Sequence, residues 1–405
     1  MTNTSTPALP ALSFGIGCFS FEVPDADLHD FHNPKGSYSL VDFKKDLEEA
    51  LSSIPSLDNI DVSDFNTTRL GRKASWRNEI EQSLHDFPHE GNHRGGDLKP
   101  QLSAGFISFT ITIPIHTQKK VFAFGHPMPG TNFEVDIRFG GGMPVAFVRA
   151  PEGSLRPSMA VAIVREFLES EFEQRINAIS PIRFTSMGPS PMWNDCFMIR
   201  SGKALSAPIE VTSVETHGYQ QIAFLFDDAS SSDSVEERYE ELKDAVADEL
   251  SYYYELVSRR NVVGIQRSFI EHELEQLVEI HRRSGLRAWF KRVFGGGRRA
   301  NDLMLDILAA KSEISYAFRG ARSEWERLRG LSPIHAFDHS FEAELGSPDD
   351  GDDDAGEVEN IVSLLTERHS RDVQLVSVIV SSVLGGLVGA AITALVGLLS
   401  SSGGT

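Results

Sequence analysis

Residues 107–115 read ISFTITIPI and residues 133–139 read FEVDIRF. In the first, Ile107, Phe109, Ile111, Ile113 and Ile115 alternate with Ser108, Thr110 and Thr112. In the second, Phe133, Val135, Ile137 and Phe139 alternate with Glu134, Asp136 and Arg138. A period of two places the apolar set on one side of a pleated strand and the polar set on the other, so both segments read as half-buried strands. Working outward, Met143–Arg149, Ile182–Thr185, Ile209–Val214 and Ile222–Phe226 are further strand candidates, as is the apolar stretch around Cys18. Met159–Ala178 has the pattern of an amphipathic helix, and Pro157 just before it suits a helix start. Lys44–Leu51 reads as another helix. Asp86–Pro100 (DFPHEGNHRGGDLKP) holds too much Gly, Pro and charge for either and reads as a loop. The fold class that follows is an α+β domain over residues 11–228, after a disordered 1–10 and before a hinge at 229–234 (ASSSDS).

From Val235 the period changes. Val235, Tyr239, Leu242, Val246, Leu250, Tyr253 and Val257 step by three or four, and so do Leu303, Ile307, Ala310, Ile314, Ala317, Ala321, Trp325 and Leu328. Ile265–Ile280 lies between them and is also helical in pattern, with Gly264 as a break point. Residues 235–341 therefore read as an all-α, coiled-coil-like helical hairpin whose apolar seam is internal or shared with other subunits. Residues 342–358 follow as an acidic linker, because Glu342–Glu359 carries nine acids and no base and cannot bury a core. Val358, Ile361, Val362 and Leu365 suggest a juxtamembrane stalk over 359–374.

Residues 375–399 (LVSVIVSSVLGGLVGAAITALVGLL) form an uncharged run of 25, of which 14 are Leu, Ile or Val. As a helix it would measure about 37 Å, more than the roughly 30 Å hydrocarbon core of a bilayer. It reads as a single C-terminal transmembrane helix with a short tail at 400–405. Arg368 and Arg371 stand just before it, which predicts a tail-anchored, single-pass protein with the bulk of the chain in the cytoplasm and the C-terminus on the opposite side. The opening MTNTSTPALPALSFGIG lacks the basic residues of a signal peptide. Ser382, Gly386, Gly389, Thr393 and Gly397 share one face of the helix, and Gly385 with Gly389 forms a GxxxG; small residues there let helices approach closely, so a homo-oligomer is expected.

The chain has 405 residues, 38 Lys and Arg against 58 Asp and Glu, and a net charge of −20, so it lacks the basic balance that nucleic-acid phosphate demands and no nucleic-acid partner is expected. Against that charge, residues 282–299 stand out. Arg282, Arg283, Arg287, Lys291, Arg292, Arg298 and Arg299 are interleaved with Trp289, Phe290 and Phe294, without one acid. Three readings fit this hairpin tip: contact with anionic lipid headgroups, contact with a phosphate or protein partner, or a solvated loop. Gly295–Gly297 could offer amides to a phosphate, although GxxxxGK[ST] is missing.

Metal and nucleophile patterns are weak. His85, His89 and His93 share a helical spacing that Pro88 and Gly91 break. His335, Asp338 and His339, after a helix start at Ser332-Pro333, echo HxxEH with the shorter Asp in place of Glu, and Glu342 is the nearest third ligand. There is no GxSxG. Cys18 lies in an apolar strand, and Cys196 has Asp195 beside it, which disfavours the thiolate. No cofactor, metal or catalytic residue is assigned. The layout is similar to that of CorA-type metal-ion transporters, an α/β domain and long helices before the membrane part, but this chain has one span in place of two and no Gly-Met-Asn after it. The expected function is a membrane-bound scaffold, sensor or binding module; the alternative is an oligomeric effector or ion-conducting pore assembled through the C-terminal helix.

Overall fold

A computed structural model describes residues 10–24, 40–67, 97–98, 102–121, 128–139, 143–154, 156–186, 194–201, 205–216, 219–227, 234–282, 321–331 and 334–345, with single positions at 305, 367, 374, 378, 381 and 382. The chain divides into two compact units, Met1–Val262 with Phe318–Gly346, and Val263–Ala317 with Ser347–Thr405.

The first unit is built on one large sheet. Its strands are β1 (Leu12–Gly17), β3 (Leu57–Val62), β7 (Phe106–Thr112), β8 (Asn132–Arg138), β9 (Val145–Arg149), β11 (Asn194–Ser201), β12 (Ile209–Thr216) and β13 (Tyr219–Asp227). They lie in the order β12-β13-β11-β1-β9-β8-β7-β3, antiparallel throughout except for the β11/β13 pair. The short strands β2 (Phe19–Pro24), β5 (Asp97–Leu98) and β10 (Arg183–Ser186) form a second sheet, and β4 (Asn66–Thr67) pairs with β6 (Leu102–Ala104). Strand β7 ends at Thr112. The alternation seen in the sequence runs past it, but Pro114 cannot donate to a ladder, and Ile115 instead opens helix α2 (Ile115–Val121) with 42% of its surface exposed. The buried Gln118 fixes this turn by donating to the carbonyls of Ile113 and Gly130, both at 2.9 Å, and accepting from the Met128 amide at 2.9 Å.

Strand β9 is buried on both sides, as a central strand must be when both faces of its sheet are covered. Ala146 and Val148 belong to a core with β7, β8, α1 (Leu40–Ser52) and α3 (Ser158–Glu171); Phe43, Leu47, Leu51, Val161, Val164 and Leu168 are its helical contribution. The sequence pattern over Met159–Ala178 is met by α3 and a π-helical turn at Phe172–Ile176. Helix α3 sits tightly on β1, because a Cβ at Gly15 would lie 2.7 Å from the Pro157 carbonyl oxygen and 2.7 Å from Val161 Cγ2.

Val145 and Phe147 point into a second core on the opposite face, with β1, β11 and β13. Its cover is α4 (Val235–Arg282), α5 (Ala321–Leu331) and α6 (Asp338–Leu345). Tyr239, Leu242, Val246, Leu250, Tyr253 and Val257, the first run of the expected seam, are buried in this core, which also takes Ala321 and Trp325 from the second run. The fold is therefore mixed α/β with an eight-stranded sheet, and within the first unit helices cover both of its faces.

Helix α4 begins at a reciprocal cap: Ser234 Oγ accepts from the Glu237 amide at 3.2 Å, and the Ser234 amide donates to Glu237 Oε2 at 2.7 Å. It runs 48 residues without a break at Gly264. A helical glycine costs only about 1 kcal/mol, which the flanking turns absorb. Tyr252 Oη donates to the Ala321 carbonyl at 3.1 Å, joining α4 to α5. Of the run from Leu303 to Leu328, residues before Ala321 lie outside the described residues except Leu305, which is helical and exposed. Helix α6 starts at Asp338 rather than at Ser332-Pro333, because Ile334, Ala336 and Phe337 are drawn into the core just before it. It reaches Leu345, four residues into the stretch that reads as linker; the rest of 342–358 and most of 359–374 lie outside the described residues.

Candidate functional site: a charged seat beneath the long helix

The polar side of β8 faces the first turns of α4. Asp136, half-buried, binds Arg138 Nε through Oδ1 at 2.8 Å and Lys243 Nζ through Oδ2. Lys243 is 3% exposed, also contacts Glu240 Oε1 at 2.7 Å, and lies 4.7 Å from the centroid of the Tyr239 ring. Arg138 continues the network to Glu240 at 2.6 Å and Asp244 at 3.5 Å, and covers the Phe106 ring at 5.3 Å. One strand away, Arg149 bridges Glu134 at 3.0 Å and Glu236 at 3.1 Å.

The electrostatics follow from this packing. Burial works against the charge of Arg138, but Asp136, Glu240 and Asp244 together outweigh it and hold its pKa above the ordinary value. Arg149 behaves likewise through Glu134 and Glu236. Burial pushes the Tyr239 phenol well up, and the Asp136 carboxylate adds to that. Alternating signs across the seat let each cation answer at least two acids, and a buried charge is tolerated only when so paired. The arrangement fixes the rotation and register of α4 on the sheet.

A second buried polar contact sets α3. Asp195, on β11, accepts the Ser158 amide at 2.9 Å, supplying from a distant strand the cap that Pro157 cannot provide. Burial raises the Asp195 carboxyl, partly offset by its bonds from Ser158. The Cys196 thiol beside it is pushed well up, first by complete burial and then by Asp195. The sequence identifies the Asp195 effect; burial is the larger cause. Cys18 is buried as well.

The residues singled out from the sequence fall mostly elsewhere. Arg282 closes α4; Arg283, Arg287, Trp289, Lys291, Arg292, Arg298 and Arg299 lie outside the described residues, as do Gly385, Gly386, Gly389, Thr393 and Gly397. Ser382 is helical and exposed, and its Oγ donates to the Val378 carbonyl at 2.8 Å. Among the described residues no helix is long and apolar enough to cross a membrane; of 375–399 these include only Val378, Ser381 and Ser382. His85, His89 and His93 are likewise outside. His335 is exposed, Asp338 is held by Arg329 at 2.6 Å, and Glu342 meets Arg322 at 3.5 Å. Among the described residues no three His, Cys, Asp or Glu side chains are placed to hold a metal.

The seat was missed because Glu134, Asp136 and Arg138 read as a solvated strand face. The available signal was Glu236, Glu240, Lys243 and Asp244, a mixed-sign stripe at helical spacing beside the apolar seam. Comparison with family models, with characterised proteins and with solved structures finds no match to this chain.

Proposed function

We propose that the chain is a membrane-anchored binding module or scaffold whose α/β unit works on the cytoplasmic face of a bilayer. The observation that carries the reading is the uncharged 25-residue run at 375–399, with Arg368 and Arg371 on the side of the folded unit. The basic, aromatic segment 282–299 gives the module a means of contacting anionic headgroups, each cation contributing about 1 kcal/mol near such a surface.

The test is alkaline carbonate extraction of membranes from cells making the full-length protein. The wild type should stay in the pellet. Leu384→Arg with Val388→Arg should release it, since each central arginine costs about 2.5–3.5 kcal/mol on insertion. Release of the wild type by carbonate would overturn the reading. The stripe Ser382, Gly386, Gly389, Thr393 and Gly397 favours a second reading, an oligomeric pore. Gly386→Leu with Gly389→Leu separates the two, because an anchor keeps its location while a pore loses ion flux.

A further inference from the structure

The two edges of the large sheet are built differently. Strand β3 is guarded: its ladder with β7 shifts register between Asp58 and Asp61, Asn59 sits at φ 53°, and both acids are exposed. A bulge and outward charges are the usual means by which a sheet edge refuses a further strand. Strand β12, IEVTSVET, has none of this over its centre. Its eight residues pair in unbroken register with β13, Pro208 stands before it rather than in it, and Val211–Val214 carries no charge. Thr212 and Ser213 are exposed, and among the described residues nothing pairs with the outer side.

We propose that β12 is an interface between two copies of this chain, joined antiparallel edge to edge into one continuous sheet. The strand's own sequence favours a second copy as occupant. A two-fold axis normal to the sheet lies midway between the two strands and must pair one residue with its own copy, because adjacent pairs of an antiparallel ladder are inequivalent. That rule excludes the register that would set Glu210 against Glu215. With Thr212 on the axis, Ile209 faces Glu215, Glu210 faces Val214 and Val211 faces Ser213, so no like charges meet and Thr212 faces its own copy. The inference stands on the sheet edge alone and does not depend on membrane attachment.

The test is mild oxidation of the full-length protein carrying Thr212→Cys, read on a non-reducing gel. Facing Cβ atoms at an antiparallel pair are about 4.5–5.5 Å apart, close enough for a disulfide after small adjustment. The native Cys18 and Cys196 are buried and give little background. Asp61→Cys, exposed on the guarded edge, is the control. The expected result is a shift of the position-212 variant to the dimer band, reversed by reductant, while the position-61 variant stays monomeric. Equal yields at the two positions, or no dimer at position 212, would overturn the proposal. The latter would be the outcome if an unrelated extended peptide occupied this edge.

Discussion

The two faces of the sheet are covered by helices of different origin. One face takes α1 and α3, which lie between strands of the sheet in the chain and meet it through Phe43, Leu47, Val161, Phe167 and Leu168. The other takes α4, α5 and α6, all of which come after the last strand, and its core gathers rings about Phe14, which lies 5.1 Å from Tyr239, 6.0 Å from Phe224 and 6.3 Å from Phe147. Helical periodicity thus specifies that a face must be buried but not what buries it. The same seam would serve a hairpin, an oligomer or a sheet.

The largest expected effect comes from breaking the face under α4. Phe14→Ala should cost about 3–5 kcal/mol in urea unfolding, the range for removing a buried phenyl ring. Hydrogen exchange sharpens the comparison. If α4 and the sheet share one core, amides of β1 and of the first half of α4 lose protection together. Loss confined to β1 would return α4 to a separate body.

Next comes the charged seat. Lys243→Met should destabilise by about 3 kcal/mol, because it leaves Asp136 half-buried beside Glu240 with one cation fewer. Arg149→Met should cost about 0–1 kcal/mol, since Glu134 and Glu236 are both well exposed. Similar losses for the two variants would show that the seat does not discriminate by depth. On the face under α3, Gly15→Ala should cost about 1–3 kcal/mol, as α3 must lift to admit a Cβ that would stand 2.7 Å from Pro157 and Val161. An unchanged melting temperature would mean that the contact between α3 and β1 is looser than this.

Legibility in the sequence followed the locality of the cause. The period of two named β7 and β8, short apolar runs named β9, β10, β12 and β13, and helical patterning named α1, α3 and α4, since each depends on neighbours within a few residues. Strand β11 escaped because Asn194 and Asp195 interrupt its pattern; these are buried polar residues, and Asp195 is explained only by Ser158, 37 positions away. The charged seat escaped for the same reason, as Asp136 and Lys243 are separated by 107 positions. Gly264 misled in the other direction, a local helix weakness overruled by its surroundings.

The smallest effect tests the cap that ties the two faces together. Asp195 belongs to a strand whose next residue, Cys196, packs in the core under α4, while its carboxylate holds the first turn of α3 in the other layer. Burial raises its folded pKa above the unfolded value. An acid shifted in that direction contributes stability below the unfolded pKa, and that contribution is lost as pH rises through the folded pKa. Asparagine carries no charge to desolvate, yet its Oδ1 can still accept the Ser158 amide. Asp195→Asn should therefore gain on the wild type as pH rises from below the ordinary carboxylate range to neutral, with the difference in melting temperature moving in the variant's favour. A difference that is flat with pH would mean that the Ser158 bonds fully offset burial. One that moves toward the wild type would mean that the charged cap is the stronger one, with Asp195 serving α3 as an anion at the helix N-terminus.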